Sequence, residues 1–154
     1  MSTVETITEG KFAPQVKDLM TKDVFTLFED DNIKFLKDLM KWQRIRHVPV
    51  VNQDNVLVGL VTHRDFLKAA ISRLAQVEES DESSLYREIP VSEVMRKNVT
   101  TVHADTPLAK AAELMFTQKY GCLPVVESGR LVGIITEADF VRSFYEWNVN
   151  FTES

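Results

Sequence analysis

The sequence predicts a mixed α/β (α+β) protein built from two tandem β-α-β-β-α repeats, each a small mixed three-stranded sheet with helices. Three observations predict it. The stretch GLVTHRD at 59–65 returns as GIITEAD at 133–139. The likeness extends outward: VKDLMTKDVFTL (16–27) aligns with VSEVMRKNVTTV (91–102), DLMKWQRIRHVPVV (38–51) with ELMFTQKYGCLPVV (113–126), and LVGLVTHRDF (57–66) with LVGIITEADF (131–140). Within each copy, β-branched runs of strand length alternate with apolar residues spaced by three and four. The duplication divides the chain into an N-terminal extension (1–15), a first repeat (16–77), an acidic linker (78–90), a second repeat (91–147) and a C-terminal tail (148–154).

Each repeat opens with a short helical Val-x-x-x-Met leader running into a strand, Val24 to Leu27 or Val99 to Val102. An amphipathic helix follows. Its apolar face is Ile33, Leu36, Leu39 and Met40 in the first copy, and Leu108, Ala111, Ala112, Leu114 and Met115 in the second. Pro107 suits a helix start, where its missing N–H costs nothing. Two strands come next, HVPVV and VLVGLV, then CLPVV and LVGII, joined by the hairpin loops NQDN and ESGR. Thr62 and Thr136 end those strands and begin a closing helix. A small sheet with helices on one side leaves an apolar surface exposed, and two repeats packed together would cover it. The stripe Phe140, Phe144, Trp147 in the last helix is expected to pack on the module itself, with a partner surface as the alternative.

Composition narrows the function. Residues 78–88, EESDESSLYRE, hold five acids and one arginine, so most of the net charge of −5 sits there and a mobile connector is expected. No extended basic face remains for nucleic acid. No apolar run approaches bilayer length and the first twenty residues lack a signal peptide's apolar centre, so no membrane association and a cytoplasmic location are expected. The single cysteine, Cys122, forms no intrachain disulfide and reads as a buried strand thiol rather than a nucleophile. His47, His63 and His103 lack metal-ligand spacing, and HExxH, GxSxG and P-loop motifs are absent. Neither catalysis nor a metal or required cofactor is expected.

The Val-x-x-x-Met leader, the His/Cys-x-Pro-Val-Val strand and the closing Gly-x-x-Thr-x-x-Asp, in order and twice over residues 16 to 145, resemble the CBS domain, named for cystathionine β-synthase. The tandem arrangement resembles the pair called a Bateman module, here of the stand-alone kind. The resemblance implies pseudo-twofold packing of the repeats, homodimers and a regulatory role. It also implies adenosine-containing ligands bound in clefts between repeats.

Thr62 to Asp65 and Thr136 to Asp139 have the spacing of a capping box with aspartate for the usual glutamate. The same geometry serves a ligand. A helix N-terminus favours a phosphorylated group, and the carboxylate can accept from both hydroxyls of a ribose. Asp65 and Asp139 would then hold ribose, with Thr62 and Thr136 touching the sugar or nearest phosphate. The resemblance implies that Asp139 faces an adenine wall of Val24, Phe25, Ile45 and Pro49, and Asp65 one of Val99, Thr100, Tyr120 and Pro124, although ordinary core would account for any of the eight. Arg46, His47, His63 and Arg64, with Arg44 beside them, are candidates for phosphate; a solvated, dipole-favoured helix end is the alternative for the arginines. The second copy has Gly121, Cys122, Glu137 and Ala138 instead, so two unequal sites are expected.

These features predict a regulatory module that senses an adenine nucleotide (AMP, ADP or ATP) and passes the signal to an unidentified effector protein. The alternatives are a ligand-free dimerising adaptor, or S-adenosylmethionine or NAD in the same cleft.

Overall fold

The computed structural model describes residues 13–74 and 82–153, so most of the N-terminal extension and the start of the acidic linker lie outside the described residues. The elements in chain order are α1 (Ile33–Gln43), β1 (His47–Val51), β2 (Leu57–Thr62), α2 (His63–Leu74), α3 (Glu82–Glu88), α4 (Leu108–Gln118), β3 (Cys122–Glu127), β4 (Arg130–Thr136) and α5 (Glu137–Glu153). Short 3-10 turns at Val16–Asp18 and Val91–Glu93 form the two leaders.

The chain folds as two compact units. One, termed the N unit, comprises Val24–Val99 with Gly129–Leu131; the other, the C unit, takes the described residues up to Asp23, Thr100–Ser128 and those from Val132 onward. Sequence repeat and compact unit are therefore different divisions of the chain. Val91, Val94 and Met95 of the second leader join the core built on Leu27, Ile33, Leu36, Val48, Val61 and Phe66. Val16, Leu19 and Met20 of the first leader join the core of Val102, Ala111, Met115, Leu123, Val125 and Ile135. Each leader completes the core of the other repeat.

Local chemistry accounts for the elements. All four apolar residues expected to line α1 are buried, and Asn32 caps it by accepting from the Phe35 amide at 2.9 Å. In α4 Ala111 and Met115 are buried while Leu108 and Leu114 pack against the same core. Both helices stop at a residue in the left-handed region, Arg44 at φ 53° and Lys119 at φ 58°. β1 and β2 pair antiparallel, with His47 opposite Thr62 and a bulge at Val50/Val51. The two-residue turn between β3 and β4 has positive φ at Ser128 (52°) and Gly129 (79°), the geometry that matches strand twist in a tight hairpin.

Three expectations need correction. The strand expected at Val24 to Leu27 contributes one parallel bridge, Leu27 to Val50, with bonds from the Leu27 amide to the Pro49 carbonyl (3.1 Å) and the Val51 amide to the Leu27 carbonyl (2.9 Å). Val102 bridges Val125 in the same way. Only Leu27 and Val102 turn fully into the cores, while Phe25 and Thr100 stay exposed, so each segment meets its sheet at a single residue. The regular sheets are thus two-stranded, β1–β2 and β3–β4. The acidic stretch expected as a mobile connector holds a helix, α3, because Tyr86 is buried at 2% exposure and meets Phe66 edge-on at 5.5 Å between ring centroids. A third concerns the aromatic stripe: Phe140 packs on the C-unit core, but Phe144 and Trp147 are exposed and lie against each other at 6.2 Å.

Candidate functional site

In the N unit β2 ends at Thr62 and α2 begins at once. The Thr62 amide and hydroxyl donate to Asp65 Oδ2 at 3.0 and 2.9 Å, and the Asp65 amide donates to Thr62 Oγ1 at 3.2 Å. This is a reciprocal capping box, closed by aspartate. The other oxygen, Oδ1, accepts from Arg96 Nε at 3.1 Å. Arg96 is brought there by its backbone, which exchanges two 2.9 Å bonds with Leu60 of β2.

The C unit repeats the arrangement with different partners. Asp139 Oδ2 accepts from the Thr136 amide at 2.8 Å and hydroxyl at 3.3 Å. Its Oδ1 accepts from Thr21 Oγ1 at 2.9 Å and pairs with Arg142 at 3.1 Å. Asp139 is 3% exposed and stands as the buried charged residue among the described residues, so its carboxylate needs these partners to avoid an uncompensated charge.

The glycine three residues before each threonine has a structural cause. A Cβ on Gly59 would lie 2.5 Å from Met95 Sδ and 3.0 Å from the Arg96 carbonyl; on Gly133 it would lie 2.8 Å from Met20 Sδ and 3.0 Å from the Thr21 carbonyl. The exchanged leaders run directly over these positions, where only glycine leaves room.

Of the residues expected around phosphate, the structure brings Arg46 and His63 together: the His63 amide donates to the Arg46 carbonyl at 2.8 Å. His63 and Arg64 occupy the first turn of α2 and are exposed, as is Arg46, while His47 opens β1 and is half-buried. The matching C-unit bond runs from the Glu137 amide to the Gly121 carbonyl (3.2 Å), with no cation at either position. Among the residues expected around adenine, Val24, Phe25, Ile45, Pro49 and Val99 belong to the N unit, and Thr100, Tyr120 and Pro124 to the C unit. Of the implied groupings, only Asp65 with Val99 falls inside one unit. Pro49 and Pro124 are buried strand residues, Ile45 and Tyr120 pack against the cores, and Thr100 donates to the Tyr120 hydroxyl at 3.2 Å. A surface cavity of about 350 Å³ in the N unit, lined by Phe28, Glu29, Asp30, Val51, Asn52 and Gln53, contains none of the expected site residues.

Sequence reasoning missed Thr21, Arg96 and Arg142. Thr21 and Arg96 each follow the leader methionine, so the duplication itself marks them as equivalent. Arg142 stands one helical turn beyond Asp139, a spacing that favours an ion pair.

Cys122 is buried in β3, and burial pushes its thiol up to about 12. It should stay unmodified by a thiol reagent at pH 8 in the native protein and react within minutes in denaturant. Equal rates in both states would show that the strand does not protect it. No cluster of three or more His, Cys, Asp or Glu able to hold a metal occurs among the described residues. No helix among them is long and apolar enough to cross a membrane.

A carboxylate stands at each strand-to-helix junction of the duplicated frame, buried at Asp139 and nearly so at Asp65. The CBS domain model matches residues 16–72 and 91–146, and the chain belongs to that family. It is 33% identical over 127 residues to a CBS domain-containing protein of Dictyostelium discoideum, covering 82% of this chain and 88% of that one. A homoserine O-acetyltransferase of Methanococcus vannielii is 34% identical over 129 residues, covering 83% of this chain, yet the chain spans only 24% of that enzyme's length. Among solved structures, a Vibrio cholerae protein described as a candidate acetoin utilization protein (AcuB) superposes with a TM-score of 0.79 at 38% identity, over 93% of this chain and 98% of that one. The CBS domain pair of protein MJ0100, solved with 5′-methylthioadenosine and S-adenosyl-L-methionine, gives 0.71 at 30% identity over 87% and 98%. CBSX2, solved with AMP, gives 0.72 at 26% identity over 87% and 98%.

Proposed function

We propose that this chain is a regulatory module that binds an adenosine-containing nucleotide of the AMP, ADP and ATP class, with the ribose on Asp65 and Asp139, and reports occupancy to an effector protein. One observation carries the reading. Each Thr-x-x-Asp motif holds an aspartate nearly withdrawn from water, with one oxygen fixed by threonine and the other held by donors that a ribose diol can replace. Adenosine is the part common to the ligands of the MJ0100 pair and of CBSX2, which supports the same part here. Arg46, His63 and Arg64, exposed beside the N-unit motif, favour a phosphorylated form there. S-adenosylmethionine or NAD would use the same two aspartates. The ligand acts by binding one arrangement of the protein more tightly than another.

A ligand-free dimerising adaptor is the second reading. Phe116, 85% exposed, and the pair Phe144 and Trp147 favour it, since a homodimer or an effector would cover such side chains.

Melting the protein with millimolar AMP, ADP, ATP, S-adenosylmethionine and NAD separates the two. A ligand present at about a hundred times its dissociation constant adds about 2.7 kcal/mol, raising Tm by roughly 5–10 °C for a chain of this size. The shift should shrink in Asp65→Asn or Asp139→Asn, which keep the shape and much of the capping ability but remove the charge. No shift with any of the five would favour the adaptor.

A further inference from the structure

Resting on the nucleotide reading above, we infer that Arg96 is an exchangeable partner of Asp65: it neutralises the carboxylate in the empty site and passes to the ligand's phosphate when the ribose takes its place. This makes Arg96 the residue that selects a nucleotide over its nucleoside at this motif.

The Asp65 side chain is 9% exposed, where an unpaired carboxylate would be costly, and Oδ2 is already committed to Thr62. Compensation therefore falls on Oδ1, which Arg96 reaches through Nε alone. The two terminal amino groups of the guanidinium remain for a second acceptor. Arg96 is 55% exposed at its side chain but fixed at its backbone by the paired bonds to Leu60. The head can thus swing from a stationary pivot.

Electrostatics gives the exchange its selectivity. A phosphate arriving near a bare Asp65 would be repelled, whereas the Asp65–Arg96 pair is formally neutral. Ribose hydroxyls can replace Nε on Oδ1, and the freed guanidinium then meets the phosphate, joining the exposed His63 and Arg64 at the start of α2. A nucleoside brings the hydroxyls but offers the displaced arginine only water. At the other motif the leader residue is Thr21, an uncharged donor, and the guanidinium on the carboxylate is Arg142 of α5 itself, so a leader arginine serves Asp65 alone.

The test titrates AMP and adenosine separately into Asp139→Asn protein, so that Asp65 is read alone, and then into the same protein carrying Arg96→Gln or Arg96→Lys. Arg96→Gln should weaken AMP by about tenfold or more while leaving adenosine unchanged or tighter. Arg96→Lys should restore part of the preference for AMP. Its ligand-free melting temperature should hardly move, because a half-exposed ion pair adds little stability. Equal losses for AMP and adenosine, or no loss for either, overturn the exchange. If the Asp139→Asn protein binds neither ligand, the ribose reading of Asp65 fails and the inference falls with it.

Discussion

Gly133→Ala is expected to destabilise the protein by about 1–3 kcal/mol, read as a lower urea midpoint. Ordinarily glycine to alanine at a position with negative φ stabilises by about 0.4–1 kcal/mol, because it restricts the unfolded chain. Here the sign reverses, since the new methyl would sit 2.8 Å from Met20 Sδ and 3.0 Å from the Thr21 carbonyl. The thioether can move aside, but the carbonyl is held by the bridge between Thr21 and Ile134. Met20→Ala should therefore relieve part of the penalty, giving a coupling of about 0.5 kcal/mol or more in a double-mutant cycle. Gly59→Ala with Met95→Ala should behave alike. Additive effects at both pairs would deny that each leader packs on the other repeat's closing strand.

Asp139→Ala is expected to cost about 2 kcal/mol without ligand, and more than Asp65→Ala. The Asp139 carboxylate serves the Thr136 amide and hydroxyl, Thr21 and Arg142, and the substitution leaves partly buried hydroxyls and an amide unpaired. Arg142 adds little to this, because its side chain is 53% exposed and returns to water. Asp65 serves Thr62 and the exposed Arg96, so its removal should cost about 1 kcal/mol, the usual value of a lost helix cap. Urea unfolding of both variants measures the difference. Equal costs would show that the Thr21 bond contributes nothing.

The local pattern of the fold was legible because it depends on local spacing. Ile33, Leu36, Leu39 and Met40 recur at helical intervals and all are buried, and the Thr62–Asp65 interval closes the capping box it implies. The leader exchange was not legible, since Val-x-x-x-Met specifies an apolar edge without saying which core receives it. Thr21 and Arg96 were missed for the same reason: their aspartates lie 118 and 31 residues away in sequence. Acidic composition concealed α3, which is held by the buried Tyr86 ring, by Leu85 packed on the same core and by the Lys37–Glu82 pair. Periodicity also misled at Phe144 and Trp147, because a stripe at helical spacing marks a face without naming what covers it.

That Asp65 and Asp139 hold the ribose of an adenine nucleotide is tested most directly by calorimetric titration of AMP. The proteins to compare are the wild type, Asp65→Asn, Asp139→Asn and the double variant, each shown to be folded by its melting curve. Saturable binding by the wild type, weakened by one or both single substitutions and abolished in the double variant, is the expected result. AMP binding that survives unchanged in the folded double variant would contradict it.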